Sequence, residues 1–486
     1  MRSEIEKLQD DIKNGSVTSE ELVNECVNKS KKYQDIYNPF ITIIDNPKWV
    51  KNEDSLLNGI PYASKDNYST KGILSTGSSN ILKNYVPFFN ATAIENLEKS
   101  GAILVSKTQL DEFGLGGTGT TSNTGVCKNP WNINRICGGS SSGSACAVSL
   151  GIYPFALGSD TGDSIRKPAG YTGIVGYKPT YGMISRYGLF PFASSLDTCG
   201  VLTRSVVDAA IVVDAMKGID EKDLTSWDSS NINLYKSINL DISTKKICYI
   251  KELVDIGSYS NPSDILVEHL NNFNKTLELF KKENIEVTGV SVKKELLNAV
   301  GSVYATISRA EATSNLSNLT GIPFGVSSPN QNVMDLMKDA RTKGFSSLIK
   351  RRLVIGSYVL QKENQERYFI NAKKARRLIV DAFNKIFEEY DAIVMPVGSG
   401  IAPLIKDSND EFKVTETSAL ENYLTIANFG GYPSITIPNG FINDMPVGIN
   451  ITSKVKDDIT ALNVAAFLES KMNYSGQIAM IKEDLK

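Results

Sequence analysis

An α/β fold with one large sheet is what the sequence predicts, on three observations. Short β-type runs alternate with longer amphipathic runs of helical period. No internal repeat or low-complexity linker interrupts the alternation. The 486 residues are 41% hydrophobic and 22% charged, ordinary values for a chain that buries a core.

Taken in order, the first elements are helices: SEIEKLQDDIKNG (3–15) and SVTSEELVNECVNKSKKY (16–33), within an N-terminal helical segment of about 1–55. Thr18 and Glu21 stand three apart, the spacing of a capping box that opens a helix. IPYASK (60–65), AILVSK (102–107), KICYI (246–250) and AIVMPV (392–397) read as strands. NATAIENLEKSG (90–101), SDILVEHLNNFNKTLELFKKE (263–283) and ARRLIVDAFNKIFEEY (375–390) read as helices. The polar stretches 221–246 and 397–418 read as surface connections, so residues 1–486 are expected to form a single domain.

Composition excludes several classes. Fifty-two basic and 54 acidic residues balance to a net charge of −2, unlike a chain that grips nucleic acid by itself. Six widely spaced cysteines with no C-x-x-C pair argue against a zinc ribbon or redox dithiol and for reduced thiols. No run approaches the length of a membrane helix, and MRSEIEKLQDDIKNG lacks an apolar signal core. The expectation is a soluble, cytoplasmic protein with no metal.

Two glycine-serine stretches carry the chemistry: GGSSSGSA (138–145) and GSDTGDSIRKPAG (158–170). Neither has the order of a phosphate-binding loop. Gly139-Ser140-Ser141-Ser142-Gly143 fits G-x-S-x-G, but that elbow needs a histidine base. The chain has one histidine, His269, on or beside the apolar stripe Ile265, Leu266, Leu270, Phe273, Leu277 and Phe280, where packing is the expected role. A serine nucleophile here needs another base. Lysine serves when burial leaves it neutral near pH 7, and Lys65 and Lys107 each end a short apolar run. Spacing alone does not choose between them.

The ordered set GIPYASKDN, LDEFG, NPWN, GGSSSGSA, GSDTGDSIRKPA, GIVGYKPTYG, SRYGL and SLDTCGVLTRSVVDAA resembles the amidase signature family, densest over a signature core of about 59–210. The resemblance implies the amidase signature fold, a large twisted mixed sheet with helices on both faces, and a Ser–cis-Ser–Lys triad. Lys65 matches the base, Ser140 the serine whose preceding peptide is cis, and Ser164 the nucleophile, with the N–H groups of Thr161, Gly162, Asp163 and Ser164 as oxyanion hole. Asp163 and Ser142 stand where the family usually has glycine. The Asp163 side chain is expected to point away from the hole.

Within the family the likeness is to the glutaminase branch that serves tRNA-dependent amidation. It implies glutamine binding by Tyr304, Arg352 and Glu421, or Asn422 in place of Glu421. It also implies no cofactor in this chain, partner subunits B and C, a partner-catalysed step using ATP and Mg²⁺, and tRNA held mainly by the partner. The competing readings are a free-standing amidase for another small amide and a silent scaffold subunit.

Overall fold

The protein is described by a computed structural model over residues 3–408 and 419–479. Its strands are β1 (Phe40–Ile43), β2 (Pro61–Lys65), β3 (Ile103–Thr108), β4 (Lys128–Asn129), β5 (Asn132–Ile136), β6 (Phe155–Asp160), β7 (Val175–Lys178), β8 (Thr198–Thr203), β9 (Ile247–Ile250), β10 (Val287–Val290), β11 (Ala392–Pro396), β12 (Ser434–Ile442) and β13 (Met445–Ser453). Eleven of them form one sheet in the order β1-β3-β2-β6-β8-β7-β12-β13-β11-β9-β10, while β4 and β5 pair separately. The sheet is mixed: β3, β2 and β6 run parallel, as do β11, β9 and β10, and the strands between them are antiparallel.

Period-2 alternation sends each strand's apolar side chains to both faces. Ala392 and Val394 of β11 pack in one core with Phe155, Leu157 and Val201, against the helices Thr92–Lys99, Val206–Met216 and Asp458–Met472. Ile393 and Met395 pack in another, against the helices Lys294–Asn315, Ser347–Leu360 and Asn371–Glu389. Each of the larger side chains, fully buried, contributes roughly 1.5–3 kcal/mol. The large mixed sheet with helices on both faces is therefore the observed architecture.

The strands read at 60–65, 102–107, 246–250 and 392–397 and the helices at 90–101 and 263–283 form within a residue or two of those bounds. The Thr18–Glu21 box makes both of its bonds. Three features differ. The helix read at 375–390 starts earlier, at Asn371. The N-terminal segment is not helical throughout, because Asn38 ends its second helix in a left-handed conformation (φ 54°) and the chain turns into edge strand β1. The β12–β13 hairpin is an addition to the elements read from sequence, although Asn443 and Asp444 (φ 51° and 60°) are residue types suited to its tight turn. Residues 221–246 form the irregular connection expected; of the second polar stretch, 409–418 lies outside the described residues.

One buried ion pair joins the middle strands to the turn that follows β6. Arg166 opens the helix Arg166–Thr172, and its guanidinium meets Asp160, the last residue of β6, in a two-pronged contact at 2.9 and 3.1 Å. The same guanidinium donates to the carbonyls of Gly162 (2.8 Å) and Leu424 (2.7 Å) and to Asn428 Oδ1 (2.7 Å). Asp160 also accepts the Ile165 N–H at 2.9 Å. Burial alone would raise the Asp160 pKa, but Arg166 and these hydrogen bonds hold it below its ordinary value. Both side chains are fully buried, so losing one partner strands the other's charge. Asp160→Ala is expected to cost about 3–5 kcal/mol of stability, read by urea unfolding. A loss under about 1 kcal/mol would show that the pair does not hold this turn.

Candidate active site

The inner end of β2 delivers Lys65 to the middle of the sheet, where its ammonium is wholly buried. Lys65 Nζ lies 2.8 Å from Ser140 Oγ, 3.0 Å from Ser141 Oγ and 2.9 Å from Ser159 Oγ, and it donates to the Ser159 carbonyl at 3.3 Å. Among the described residues no carboxylate stands within ion-pair distance of it. Three of its four neighbours are hydroxyls, which donate to a neutral amine as readily as they accept from a charged one. Burial therefore dominates and lowers the Lys65 pKa to about 7.

Lys107, the other lysine at a strand end, has a different environment. Its Nζ lies 3.3 Å from Asp66 Oδ1 and donates to Ser75 Oγ (2.7 Å) and the Tyr68 carbonyl (2.9 Å). It serves as a buried counter-ion. The two lysines, equivalent in spacing, are separated by what the fold places around them.

The Gly139–Ser140 peptide is cis, as the resemblance implies. Asp111 lies beneath this turn: its N–H donates to the Ser140 carbonyl at 3.2 Å, and its carboxylate accepts the N–H groups of Thr118, Gly119, Thr120 and Thr121 at 2.9–3.1 Å. Ser141 N–H donates to the Ser164 carbonyl at 3.2 Å, which ties the two serine stretches together. Thr161 and Asp197 brace the other side, with Thr161 Oγ1 donating to Asp197 Oδ1 at 2.6 Å. The N–H groups at 161–164 thus lie in a turn gripped by the Asp160–Arg166 pair, Asp197 and the cis-serine loop.

Asp163 makes an ion pair one helical turn ahead, to Lys167 Nζ at 3.1 Å. Lys167 also meets Glu421 Oε2 at 3.0 Å, while Ser399 donates its N–H (2.6 Å) and its hydroxyl to Glu421 Oε1. Burial opposes the Glu421 charge, but Lys167 and Ser399 bring its pKa down to about 2. Glu421 is therefore ionised with both oxygens engaged. Asn422 packs against Gly301, three residues before Tyr304 on the same helix.

Tyr304 covers the turn before Ser164. A Cβ on Gly162 would stand 3.0 Å from the Tyr304 ring, so a larger residue there would press on the tyrosine. Helix Ser347–Leu360, which carries Arg352, crosses helix Lys294–Asn315 closely at Gly356, where a Cβ would lie 2.2 Å from the Arg309 carbonyl, and the Arg352 charge acts on the Tyr304 hydroxyl. Arg352 is one turn before that crossing. With Arg309 and Arg351 it lines a cavity of about 430 Å³ that the 116–121 loop held by Asp111 also lines. Among the described residues of that lining, the charged side chains are these three arginines.

His269 is fully buried on helix Asp264–Lys282 beside Leu266, Leu270 and Phe273, and burial lowers its pKa to about 4. It is a neutral packing residue, as its place on the apolar stripe implies. Sequence reasoning missed Asp111, Asp160, Arg166, Lys167 and Asp197, although the first four stand inside the motifs LDEFG and GSDTGDSIRKPA. An acid and a base flanking so polar a turn were the available signal.

Comparison with known proteins extends this geometry. The family model described as Amidase matches residues 21–462. The chain is 38% identical over 480 residues to the A subunit of glutamyl-tRNA(Gln) amidotransferase from Pediococcus pentosaceus, covering 96% of each. It is 42% identical over 428 residues to the protein of the same name from Mycoplasma pneumoniae, covering 85% of this chain and 86% of that one. The crystal structure of the corresponding Thermotoga maritima protein, again named as the A subunit of glutamyl-tRNA(Gln) amidotransferase, superposes with a TM-score of 0.78 at 33% identity, over 96% of this chain and 95% of that one. With a family match over nine-tenths of its length and these relatives, the chain belongs to the amidase signature family.

Proposed function

We propose that this chain is the glutaminase subunit of a glutamyl-tRNA(Gln) amidotransferase, releasing ammonia for the conversion of Glu-tRNA(Gln) to Gln-tRNA(Gln). The observation that carries the chemistry is Lys65, buried among hydroxyls, titrating near neutrality, 2.8 Å from Ser140 Oγ. The substrate and its destination rest on the relatives' identity and coverage.

In this reading neutral Lys65 takes the Ser140 proton as Ser140 takes that of Ser164, and Ser164 Oγ attacks the glutamine side-chain amide carbon. The N–H groups of Thr161, Gly162, Asp163 and Ser164 receive the developing oxyanion. The proton returns to the departing nitrogen, ammonia leaves, and water then releases glutamate from the Ser164 ester. The Asp163 carboxylate, held by Lys167, is kept from opposing that charge. Arg352 takes the α-carboxylate of glutamine, and Tyr304 bounds the site over Gly162. Glu421 supplies negative charge for the α-ammonium through a carboxylate it shares with Lys167, and Asn422 is the neutral alternative.

Nothing in this sequence of steps calls for a cofactor on this chain. Subunits B and C complete the complex, a heterotrimer in the cytoplasm, and the partner's step consumes ATP with Mg²⁺ and holds the tRNA. Among the described residues no helix is long and apolar enough to cross a membrane.

Because burial lowers the Lys65 pKa to about 7, the neutral fraction rises from about a tenth at pH 6 to about nine-tenths at pH 8. Glutaminase kcat/KM is expected to climb through that window, and Lys65→Ala to remove nearly all turnover. A flat profile between pH 6 and 8 would sink the lysine base. Lys107→Ala makes a poor control because it strands buried Asp66, so His269→Ala, expected within a few-fold of wild type, is the better one.

Arg352→Ala is expected to weaken glutamine capture by about 2–4 kcal/mol while sparing an amide that lacks the α-carboxylate. Equal losses on both substrates would assign Arg352 a structural role.

Ser164→Ala in the reconstituted complex is expected to abolish glutamine-dependent amidation of Glu-tRNA(Gln) and to be rescued by ammonium salt with ATP and Mg²⁺ present. Failure of rescue in a folded, assembled variant, while wild type uses ammonium, would overturn the division of labour.

A further inference from the structure

The cysteines, scattered in sequence, are not scattered in space. Cys127 precedes β4, Cys137 follows β5, and Cys146 lies in the helix Ser142–Ser149, yet their three sulfurs all fall within 4.8 Å of one another. Cys127 Sγ and Cys137 Sγ are 3.8 Å apart. All three residues are completely buried. The reaction outlined above uses none of them.

We propose that Cys127, Cys137 and Cys146 form a binding site for a thiol-seeking d¹⁰ cation of the Zn²⁺ class, with Ser142 Oγ as the oxygen ligand. The spacing fits the chemistry: a Zn–S bond of about 2.3 Å in tetrahedral geometry sets sulfurs about 3.8 Å apart, so no separation has to close by more than about 1 Å. Ser142 is one helical turn before Cys146 and therefore on the same face. Its hydroxyl is buried beside Cys127 without a hydrogen bond of ordinary geometry. A second oxygen is at hand, the Lys128 carbonyl, which accepts from Cys137 Sγ at 3.2 Å and from Cys146 Sγ at 3.6 Å. Three thiolates and a dication leave a single negative charge, and a neutral hydroxyl or carbonyl completes the shell without adding to it. Soft sulfur donors select Zn²⁺ and its heavier relatives over Mg²⁺ or Ca²⁺.

The site sits directly behind the cis-serine turn. Ser142 follows Ser140 and Ser141, both in contact with Lys65, so an ion held there braces the turn. Burial implies that the ion enters as the chain folds, since metal binding of this kind is coupled to folding.

The full chain is therefore produced in zinc-supplemented medium, washed with EDTA to strip surface ions, and its metal content measured by mass spectrometry. About one zinc per chain is expected in wild type, with loss in Cys127→Ser, Cys137→Ser and Cys146→Ser and retention in Cys26→Ser, Cys199→Ser and Cys248→Ser. Wild type without zinc overturns the proposal, as does zinc retained by folded variants of the cluster. Should every cluster variant fail to fold, X-ray absorption on zinc-loaded wild type decides. A sulfur-dominated shell supports the site, and a shell of nitrogen and oxygen alone overturns it. The second result would leave three buried thiols acting as small apolar side chains.

Discussion

Much of this molecule depends on a single buried contact, the Arg166–Asp160 ion pair. An arginine in the interior is costly unless each of its donors finds an acceptor. Arg166 meets that condition by drawing on four segments at once: the end of β6, the following turn, the stretch ending at Leu424 and the helix bearing Asn428. The geometry of the turn carrying residues 161–164 is thereby set by donors and acceptors from distant parts of the chain. Its glycine and hydroxyl residues permit that geometry, and the arginine imposes it.

Buried lysines show how environment divides the work among identical side chains. Lys65, Lys107 and Lys178 are all completely buried. Lys107 has Asp66 against it and serves as a counter-ion. Lys178 donates to the Tyr432 and Pro179 carbonyls at a crossing of strands, and burial lowers its pKa to about 7. Lys65 faces hydroxyls on the two serine stretches. A low pKa is therefore not by itself a mark of chemistry, since Lys178 shares it. What distinguishes Lys65 is that its neighbours include a hydroxyl able to relay a proton.

Asp163 illustrates compensation at close range. A carboxylate buried in this turn is costly, and burial raises the Asp163 pKa. Lys167 offsets it from one turn ahead and carries the link on to Glu421. Asp163, Lys167 and Glu421 thus form a chain of alternating charge running from the 161–164 turn to the stretch bearing Asn422. A substitution at any one of them is felt by the other two.

Local pattern determined a good deal by itself. Strand periodicity, helix period and the Thr18–Glu21 box follow from interactions within a few residues, and most of the elements read from them formed within a residue or two of the expected bounds. The ordered motifs marked Lys65, Ser140 and Ser164 because short-range sequence preserves the turns they occupy. Contacts between residues far apart in the chain were invisible. The Lys65–Lys107 distinction, the reach of Arg166 to Leu424, the three arginines at one cavity and the gathering of Cys127, Cys137 and Cys146 each join segments whose proximity is decided only when the sheet assembles. Spacing along the chain said nothing of them, because burial and charge pairing, which set what a buried lysine or thiol is worth, are properties of the surroundings that tertiary packing creates.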